Sequence, residues 1–288
     1  MKKAFIVVLC LCGATLCLAA SAPYRPITIR VAAYNIESSK SATPEQIGEM
    51  LKPYKLNIIG FIEAPDGDWT ARVGKVLGMQ YCFVGTVSSA NHKNKYKTIL
   101  SRTPLEGTEE HKLTGRGWNP ASVVRAVTKI DGVSFAFYSL HICESGATNG
   151  HAYSLATKVL PKEKIKRVIV VGDYNNIGDA AMKTILEAGF RATWNDLKID
   201  VSKEFTYHAK NPTKRNLGVI DHILYNISAG AKATDGGIIE LKKPLSDHKP
   251  IWAEIAFSRH LEKVKKAIAI AAMATALTVQ GAEGKITI

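Results

Sequence analysis

Short apolar runs rich in β-branched residues recur along this chain, each bounded by turn formers and too short for a typical helix. This is the pattern of largely buried strands. Their polar ends recur as regularly as their apolar interiors. Ile27–Tyr34 ends on Asn35, Leu56–Ile62 on Glu63, and Val133–Leu140 on His141. Val168–Val171 runs through Gly172 into Asp173 and Asn175, and Gly218–Ile220 leads to Asp221 before Ile223-Leu224. Pro244-Leu245-Ser246 leads to Asp247 and His248 before the strand Ile251–Ile255. Helical spacing of apolar positions predicts helices over Pro44–Leu51, Trp69–Leu77, His151–Leu160 and Asp179–Ala188, with Thr43, Asp68, Asn149 and Gly178 or Asp179 at their starts. Strands and helices alternate early, whereas Tyr96–Phe137 reads as consecutive strands with tight turns. That mixture predicts an α/β fold of packed sheets covered by helices, not a simple doubly wound sheet. Neither a glycine-rich phosphate loop nor a GxSxG nucleophile elbow occurs, and there is no internal repeat.

The two ends have a different composition. Met1-Lys2-Lys3, the apolar stretch beginning at Ala4–Leu9 and the small residues up to Ala22 form the charged start, apolar middle and small-residue end of a secretory leader. Residues 1–22 are therefore expected to be a signal peptide, cleaved among Ala19–Ala22, which places the protein in a secreted or periplasmic location. The apolar run falls short of the ~20 residues that cross a bilayer. Residues 23–258 are read as one catalytic domain. In residues 259–288, Leu261, Val264, Ile268, Ala272, Thr275 and Val279 recur at helical spacing in an Ala-rich stretch, which reads as a terminal helix or tail. Its apolar part, Ala267–Val279, is too short to span a membrane; a helix lying on the domain or a partly ordered tail is favoured over self-association or membrane contact, and the protein is expected to be a monomer.

Charge narrows the partners. Lys and Arg total 38 against 25 Asp and Glu, and loss of Lys2 and Lys3 with the leader lowers the excess from +13 to +11. That balance favours polyanions such as nucleic acid or an anionic lipid surface. The densest basic run, Lys162–Arg167, is read as a solvated loop before a strand. Cys10, Cys12 and Cys17 leave with the leader, so Cys82 and Cys143 remain, either as one bridge or as two separate thiols. No CxxC or Cys/His spacing suggests a zinc site.

A single Asp or Asn after a strand is ordinarily a turn residue. Six polar strand ends with complementary chemistry point instead to one shared site. Glu63, Asp173, Asp221 and Asp247 offer hard oxygen ligands, Asn35 and Asn175 can orient phosphate oxygens, and His141 and His248 can move protons near neutral pH. These are the parts needed to hydrolyse a phosphate ester.

The segments Ala33–Ile36, Ile58–Glu63, Thr98–Leu105, Ser139-Leu140-His141, Gly172–Asn175, Phe205-Thr206-Tyr207, Ile220–Leu224 and Ser246-Asp247-His248 occur in that order between Ile27 and Phe257. As a set they resemble the endonuclease/exonuclease/phosphatase superfamily, which includes deoxyribonuclease I-like enzymes. The resemblance implies a four-layered α/β/β/α sandwich, two stacked mixed sheets flanked by helices, with a cleft at one sheet edge. It implies Glu63 as the principal Mg²⁺ or Mn²⁺ ligand, Asn35 beside it and Asp247 near the metal. Asp173 and Asn175 would hold the attacking water and a phosphate oxygen. His248, oriented by Asp221, would activate water or stabilise the transition state, and His141 would stabilise or protonate the leaving side. Ile62 stands where the family often has Gln, and Tyr174 where Phe is common. His222 is read as a packing residue; His92, His111, His151, His208 and His260 carry no motif and are read as surface or structural. Arg102 and Arg125 either reach a phosphate or form strand-edge salt bridges.

The expected activity is hydrolysis of a phosphate-ester substrate by an exported, metal-dependent nuclease or related phosphodiesterase. The alternatives are a sphingomyelinase-like lipid phosphodiesterase, a sugar- or inositol-phosphate phosphatase, and a non-catalytic binding protein of the same fold. An intact set of metal ligands and histidines argues against the last of these.

Overall fold

The computed structural model describes residues 26–143, 150–175, 179–211, 213 and 218–259. The expected leader, the Ala-rich segment beyond Arg259 and the helix starts at Asn149 and Gly178 lie outside the described residues. Two six-stranded mixed sheets stack face to face. The first contains β1 (Ile27–Asn35), β2 (Ile58–Ala64), β3 (Tyr81–Val84), β4 (Tyr96–Ser101), β11 (Lys232–Ile238) and β12 (Ile251–Phe257), in the order β11-β12-β1-β2-β4-β3. The second contains β5 (Leu105–Leu113), β6 (Ala121–Ile130), β7 (Val133–His141), β8 (Val168–Asp173), β9 (Phe190–Ala192) and β10 (Asp221–Asn226), in the order β5-β6-β7-β8-β10-β9. Each sheet has one parallel pair at its centre, β1 with β2 and β7 with β8, flanked by antiparallel neighbours. β10 begins at Asp221 itself, so Gly218–Ile220 is not the strand expected there.

The first two helices, α1 (Pro44–Leu51) and α2 (Trp69–Leu77), have the bounds read from the sequence. At the start of α1, Gln46 N–H donates to Thr43 Oγ1 and Thr43 N–H donates to Gln46 Oε1, a reciprocal capping box. Gly78 stops α2 in the left-handed conformation. The third helix departs from its expected course. It is α-helical only as α3 (His151–Ser154) and then widens into a π turn over Leu155–Val159. Pro161 follows, and it can donate no hydrogen bond to the preceding turn. α4 (Asp179–Glu187) and the short α5 (Thr193–Leu197) complete the described helices.

Layering follows from which faces are apolar. Ile47 and Leu51 of α1 and Val73 of α2 cover Tyr34, Ile59 and Phe61 on the outside of the first sheet. Between the sheets, Ile29, Val31, Ile58 and Ile99 join Phe137, Val171 and Ile223, and Leu155, Met182 and Ile185 from the second helical layer extend the same cluster. Each fully buried Ile or Phe side chain contributes about 1.5–3 kcal/mol of transfer free energy. The sheets approach closely at Gly60, where an added Cβ would lie 2.5 Å from Val171 Cγ2 and 2.8 Å from Ser139 Oγ. Cys82 and Cys143 are not bridged to each other, so of the two expected arrangements the single bridge does not form. Among the described residues no helix is long and apolar enough to cross a membrane.

Candidate active site

Parallel pairing gathers the polar strand ends. In the first sheet Asn35 pairs with Ile62, which sets Glu63 beside the end of β1. In the second, His141 pairs with Asp173 and Asp173 with Asp221, so one row of the sheet carries all three. β12 runs antiparallel to β1, which returns the loop before it to the same edge. There Ser246 Oγ donates to Asn35 O at 2.7 Å and accepts His248 N–H at 3.2 Å. Behind this loop, Thr206 Oγ1 accepts the N–H groups of Ile220 and Asp221. An open cleft of about 320 Å³ results, lined by Glu63, His141, Asp173, Asn175, Asp247 and His248. Asn35 and Asp221 stand behind it, bonded to Asp173 and His248 respectively. All eight residues singled out in the sequence are thus brought to one sheet edge.

Local backbone geometry aims these groups. Gly172 adopts φ +147°, and a Cβ there would lie 2.1 Å from Leu140 O, so glycine is required immediately before Asp173. Glu63 lies within an irregularity of the β2–β4 ladder and has φ +53°. Asn175 and Glu37 are also left-handed, at φ +47° and +49°. Such conformations are costly for residues with a Cβ and cluster at functional sites.

Hydrogen bonds then assign orientation. Asp173 Oδ2 accepts from Asn35 Nδ2 at 2.9 Å, and Oδ1 accepts from Asn175 N–H at 2.8 Å. Asn175 Nδ2 donates to Ile142 O at 3.0 Å, so part of its amide holds the loop while the side chain still lines the cleft. His248 Nδ1 lies 2.8 Å from Asp221 Oδ2, and its Nε2 lies 3.6 Å from Asp173 Oδ2. His141 Nε2 lies 3.5 Å from that same Asp173 oxygen and 3.9 Å from Glu63 Oε1.

Electrostatics divides the two histidines. Burial opposes a charge on His248, but attraction to Asp221 and Asp173 outweighs it and holds the imidazole pKa up at about 10. For His141, burial is reinforced by repulsion from Lys97 and Lys95, and its pKa falls well below the ordinary range. At neutral pH, His248 is therefore a cation and His141 a neutral ring. Burial raises Asp173 to about 7, against the opposing attraction of His248. Asp247 is raised as well, by burial first and then, against the pull of His248, by repulsion from Glu37 and Glu63.

The carboxylates at one end of the cleft fit a divalent ion. Glu37, Glu63 and Asp247 all line it and repel one another, and Glu63 Oε1 already holds a cation, the Lys95 ammonium, at 2.6 Å. Mg²⁺ keeps several waters and commonly takes only one or two carboxylates, so no denser acidic cage is needed. Asp173, Asp221 and His248 also bring ligand-type atoms within 4.8 Å of one another. Their linkage through His248 Nδ1 and Asp221 Oδ2 suits proton and charge handling instead.

Several participants had only weak sequence signals. Glu37 lies two residues beyond Asn35, Lys95 lies in a polar loop, and Trp118 and Tyr207 form aromatic walls. Trp118 packs on His141 with ring centroids 4.9 Å apart, and Tyr207 on His248 at 4.8 Å. The paired preferences of the two rings for the two histidines had no periodicity to announce them. His151, expected at the surface or in a structural role, is buried against Trp118 and accepts Cys143 N–H at Nδ1. His92 lines the cleft, although no motif marked it. His222 packs on Tyr174 and accepts from Trp194 Nε1, as a packing residue would.

Arg102 meets neither expectation and donates to the carbonyls of Leu56, Leu77 and Gly78. Arg125 forms a two-pronged ion pair with Glu163, so the basic run Lys162–Arg167 is partly folded onto the domain. That pair and Tyr138 line a larger cavity of about 750 Å³ whose central charges are already matched.

Residues 32–248 match the pattern of the endonuclease/exonuclease/phosphatase family. No curated protein sequence matches the chain. The fold is similar to that of an endonuclease/exonuclease/phosphatase from Beutenbergia cavernae, with 14% identity, TM-score 0.64, and coverage of 81% of this chain and 72% of the other. It is also similar to D. rerio TDP2 complexed with a single-strand DNA product, with 14% identity, TM-score 0.62, and coverage of 79% and 98%. A mannosyl-6-phosphatase from Bacteroides thetaiotaomicron has 18% identity and TM-score 0.61, over 80% of this chain and all of that one (100%). At these identities the likeness speaks for the fold alone, whereas the family pattern spans most of the chain. The chain belongs to the endonuclease/exonuclease/phosphatase family.

Proposed function

We propose that this protein is an exported, divalent-metal-dependent phosphodiesterase that cleaves nucleic acid by attack of water. The observation that carries the chemistry is a single carboxylate, Asp173, set between two histidines of opposite protonation, His248 and His141. Nucleic acid as substrate is supported by the positive excess, +13 for the full chain and +11 without Lys2 and Lys3, by the open cleft, and by its aromatic walls Trp118 and Tyr207. Export rests on the leader-like residues 1–22.

Asp173 is suited to take the proton of the attacking water. Its carboxylate is fixed from two sides by Asn35 and Asn175, and its raised proton affinity matches a general base working near neutrality. As water oxygen bonds to phosphorus, that proton passes to Asp173 and the ester oxygen departs with the electrons of its bond. His248 is already protonated and cannot serve as the base. Held by Asp221, it offers its Nε2–H and its positive charge to the phosphoryl oxygens. His141 donates from Nε2 as a neutral ring, which suits stabilising rather than protonating the leaving side. Glu63, with Asn35 and Asp247, would hold the divalent ion, which supplies positive charge against the developing negative charge.

An activity panel tests this reading. Plasmid DNA, RNA, sphingomyelin and phosphorylated sugars and inositols are each incubated with wild type and Glu63→Gln, in Mg²⁺, Mn²⁺ or EDTA. Nucleic acid should be cut by wild type with metal, and cleavage should weaken as salt rises because Lys and Arg displace condensed counterions. Undiminished turnover in EDTA would overturn the metal dependence. Preferential hydrolysis of the lipid or the sugar phosphates would overturn the substrate.

A further inference from the structure

We propose that Lys95 is a resident counter-cation of Glu63: it competes with the divalent ion for that carboxylate and, once displaced, binds a phosphoryl oxygen of the substrate. The proposal rests on the metal-dependent phosphoesterase reading and adds to it a residue that lies outside the motif segments of the sequence.

The backbone of Lys95 is held by hydrogen bonds on both of its polar groups. Its N–H donates to Ser88 Oγ at 3.0 Å and its carbonyl accepts Ser89 N–H at 3.0 Å, which closes the loop Ser88–Lys95. Ser88 Oγ also donates to His92 O across the same loop. The loop is footed from below by Lys97, which is fully buried and donates to Val87 O at 2.6 Å and Ser89 Oγ at 3.3 Å. Glu110 of β5 ties down its entrance by accepting Thr86 N–H at 2.6 Å and Val87 N–H at 3.1 Å. From this fixed base, a flexible four-carbon stem carries the ammonium into the cleft, where among the described residues it bonds Glu63.

Charge then forces a choice. The ammonium bonds Glu63 Oε1 at 2.6 Å, the oxygen that also lies 3.9 Å from His141 Nε2. A divalent ion bound at Glu63 repels a cation held on the same oxygen, so the two occupants exclude each other. The displaced ammonium starts near His141, which shares Glu63 Oε1 with it and to which the proposed mechanism gives the leaving side, and a phosphoryl oxygen is the strong acceptor a phosphate-ester substrate brings there. The other cleft lysine, Lys40, is more exposed and faces Glu37 at 3.9 Å, so it does not duplicate this role.

The two halves of the proposal have opposite signs, which makes it testable. Mn²⁺ is titrated calorimetrically into the full chain as wild type, Lys95→Met, Lys95→Arg and Glu63→Gln. Hydrolysis of bis(4-nitrophenyl) phosphate is then measured at saturating Mn²⁺. Lys95→Met should bind Mn²⁺ about tenfold more tightly, because a competing charge is gone, yet lose roughly 10- to 100-fold in kcat/KM, because a charged contact to the phosphoryl oxygens is gone. Lys95→Arg, which keeps the charge, should keep the wild-type Mn²⁺ affinity. Unchanged or weaker Mn²⁺ binding by Lys95→Met, with Glu63→Gln still abolishing it, would overturn the role of Lys95 alone. Unimpaired kcat/KM in Lys95→Met would overturn the phosphate contact. Absence of Glu63-dependent Mn²⁺ binding in wild type would remove the metal reading itself, and the proposal with it.

Discussion

His141 and His248 are the same side chain at the same depth, each 5% exposed, and both have Nε2 near one oxygen of Asp173. Their charges nevertheless differ. His248 has Asp221 on its far nitrogen and Asp247 adjacent in sequence, so negative neighbours outweigh its desolvation. His141 has no hydrogen-bond partner at Nδ1 among the described residues and feels Lys97 and Lys95, so positive neighbours add to its desolvation. Burial alone therefore does not set a histidine's state. The sign of the nearest charges decides between a cation that stabilises developing charge and a neutral donor that orients an oxygen.

The most severe way to break this contrast is to remove the cation. His248→Ala should lower kcat by roughly 10²- to 10⁴-fold, and Asp221→Asn should lower it less by leaving the imidazole misoriented. The double variant should fall well short of the product of the two losses, because a carboxylate that orients a missing ring has nothing to contribute. Single-turnover rates for the three variants check this, and full multiplicativity would show that the residues act separately.

Glutamine sharpens the contrast from the other side. His141→Ala should cost about 10²-fold in kcat, the scale of one lost oxyanion-type donor. His141→Gln, a neutral donor of similar reach, should recover part of that loss, whereas His248→Gln should behave like His248→Ala. Equal rescue at both positions would mean that charge does not distinguish them.

A pH profile tests both states in one measurement. Asp173 must be ionised to accept a proton, so kcat/KM should rise with pH up to its pKa of about 7. His248 must stay protonated, so the rate should decline above about 10, giving a broad plateau between those limbs. In His248→Ala, Asp173 loses the attraction that opposed its raised pKa, so the acid limb should move upward.

The smallest expected effect lies at Lys97. Lys97→Met removes a buried cation that disfavours protonation of His141, so the His141 imidazole should titrate closer to its ordinary range by NMR. Turnover at neutral pH should change less than about tenfold, because His141 still faces burial and Lys95. No movement of the His141 resonance would show that Lys95 and burial suffice.

Several strand ends and the bounds of α1 and α2 were legible in the sequence because their causes are local, whereas the third helix and the segment Gly218–Ile220 were not. α1 begins and α2 ends where the capping box at Thr43 and the glycine at Gly78 dictate, and the apolar runs of β1, β2, β7 and β8 end on polar residues that line the cleft or, as Asn35 does, stand directly behind it. The polar residues that converge on the cleft were also legible, since each follows a buried run and each has chemistry that a turn does not need. Three things required the tertiary structure.

The first is adjacency. Asp173 meets His141 and Asp221 only because β8 lies between β7 and β10, an order set by long-range pairing rather than by position along the chain. The second is membership of residues without a motif, such as Lys95 and Trp118, the first on a loop held by Lys97 and Glu110 and the second packed on His141. The third is protonation. A histidine in a sequence titrates near neutrality by default, and only the sum of desolvation and neighbouring charges, fixed by how the two sheets stack, makes His248 a cation and His141 neutral.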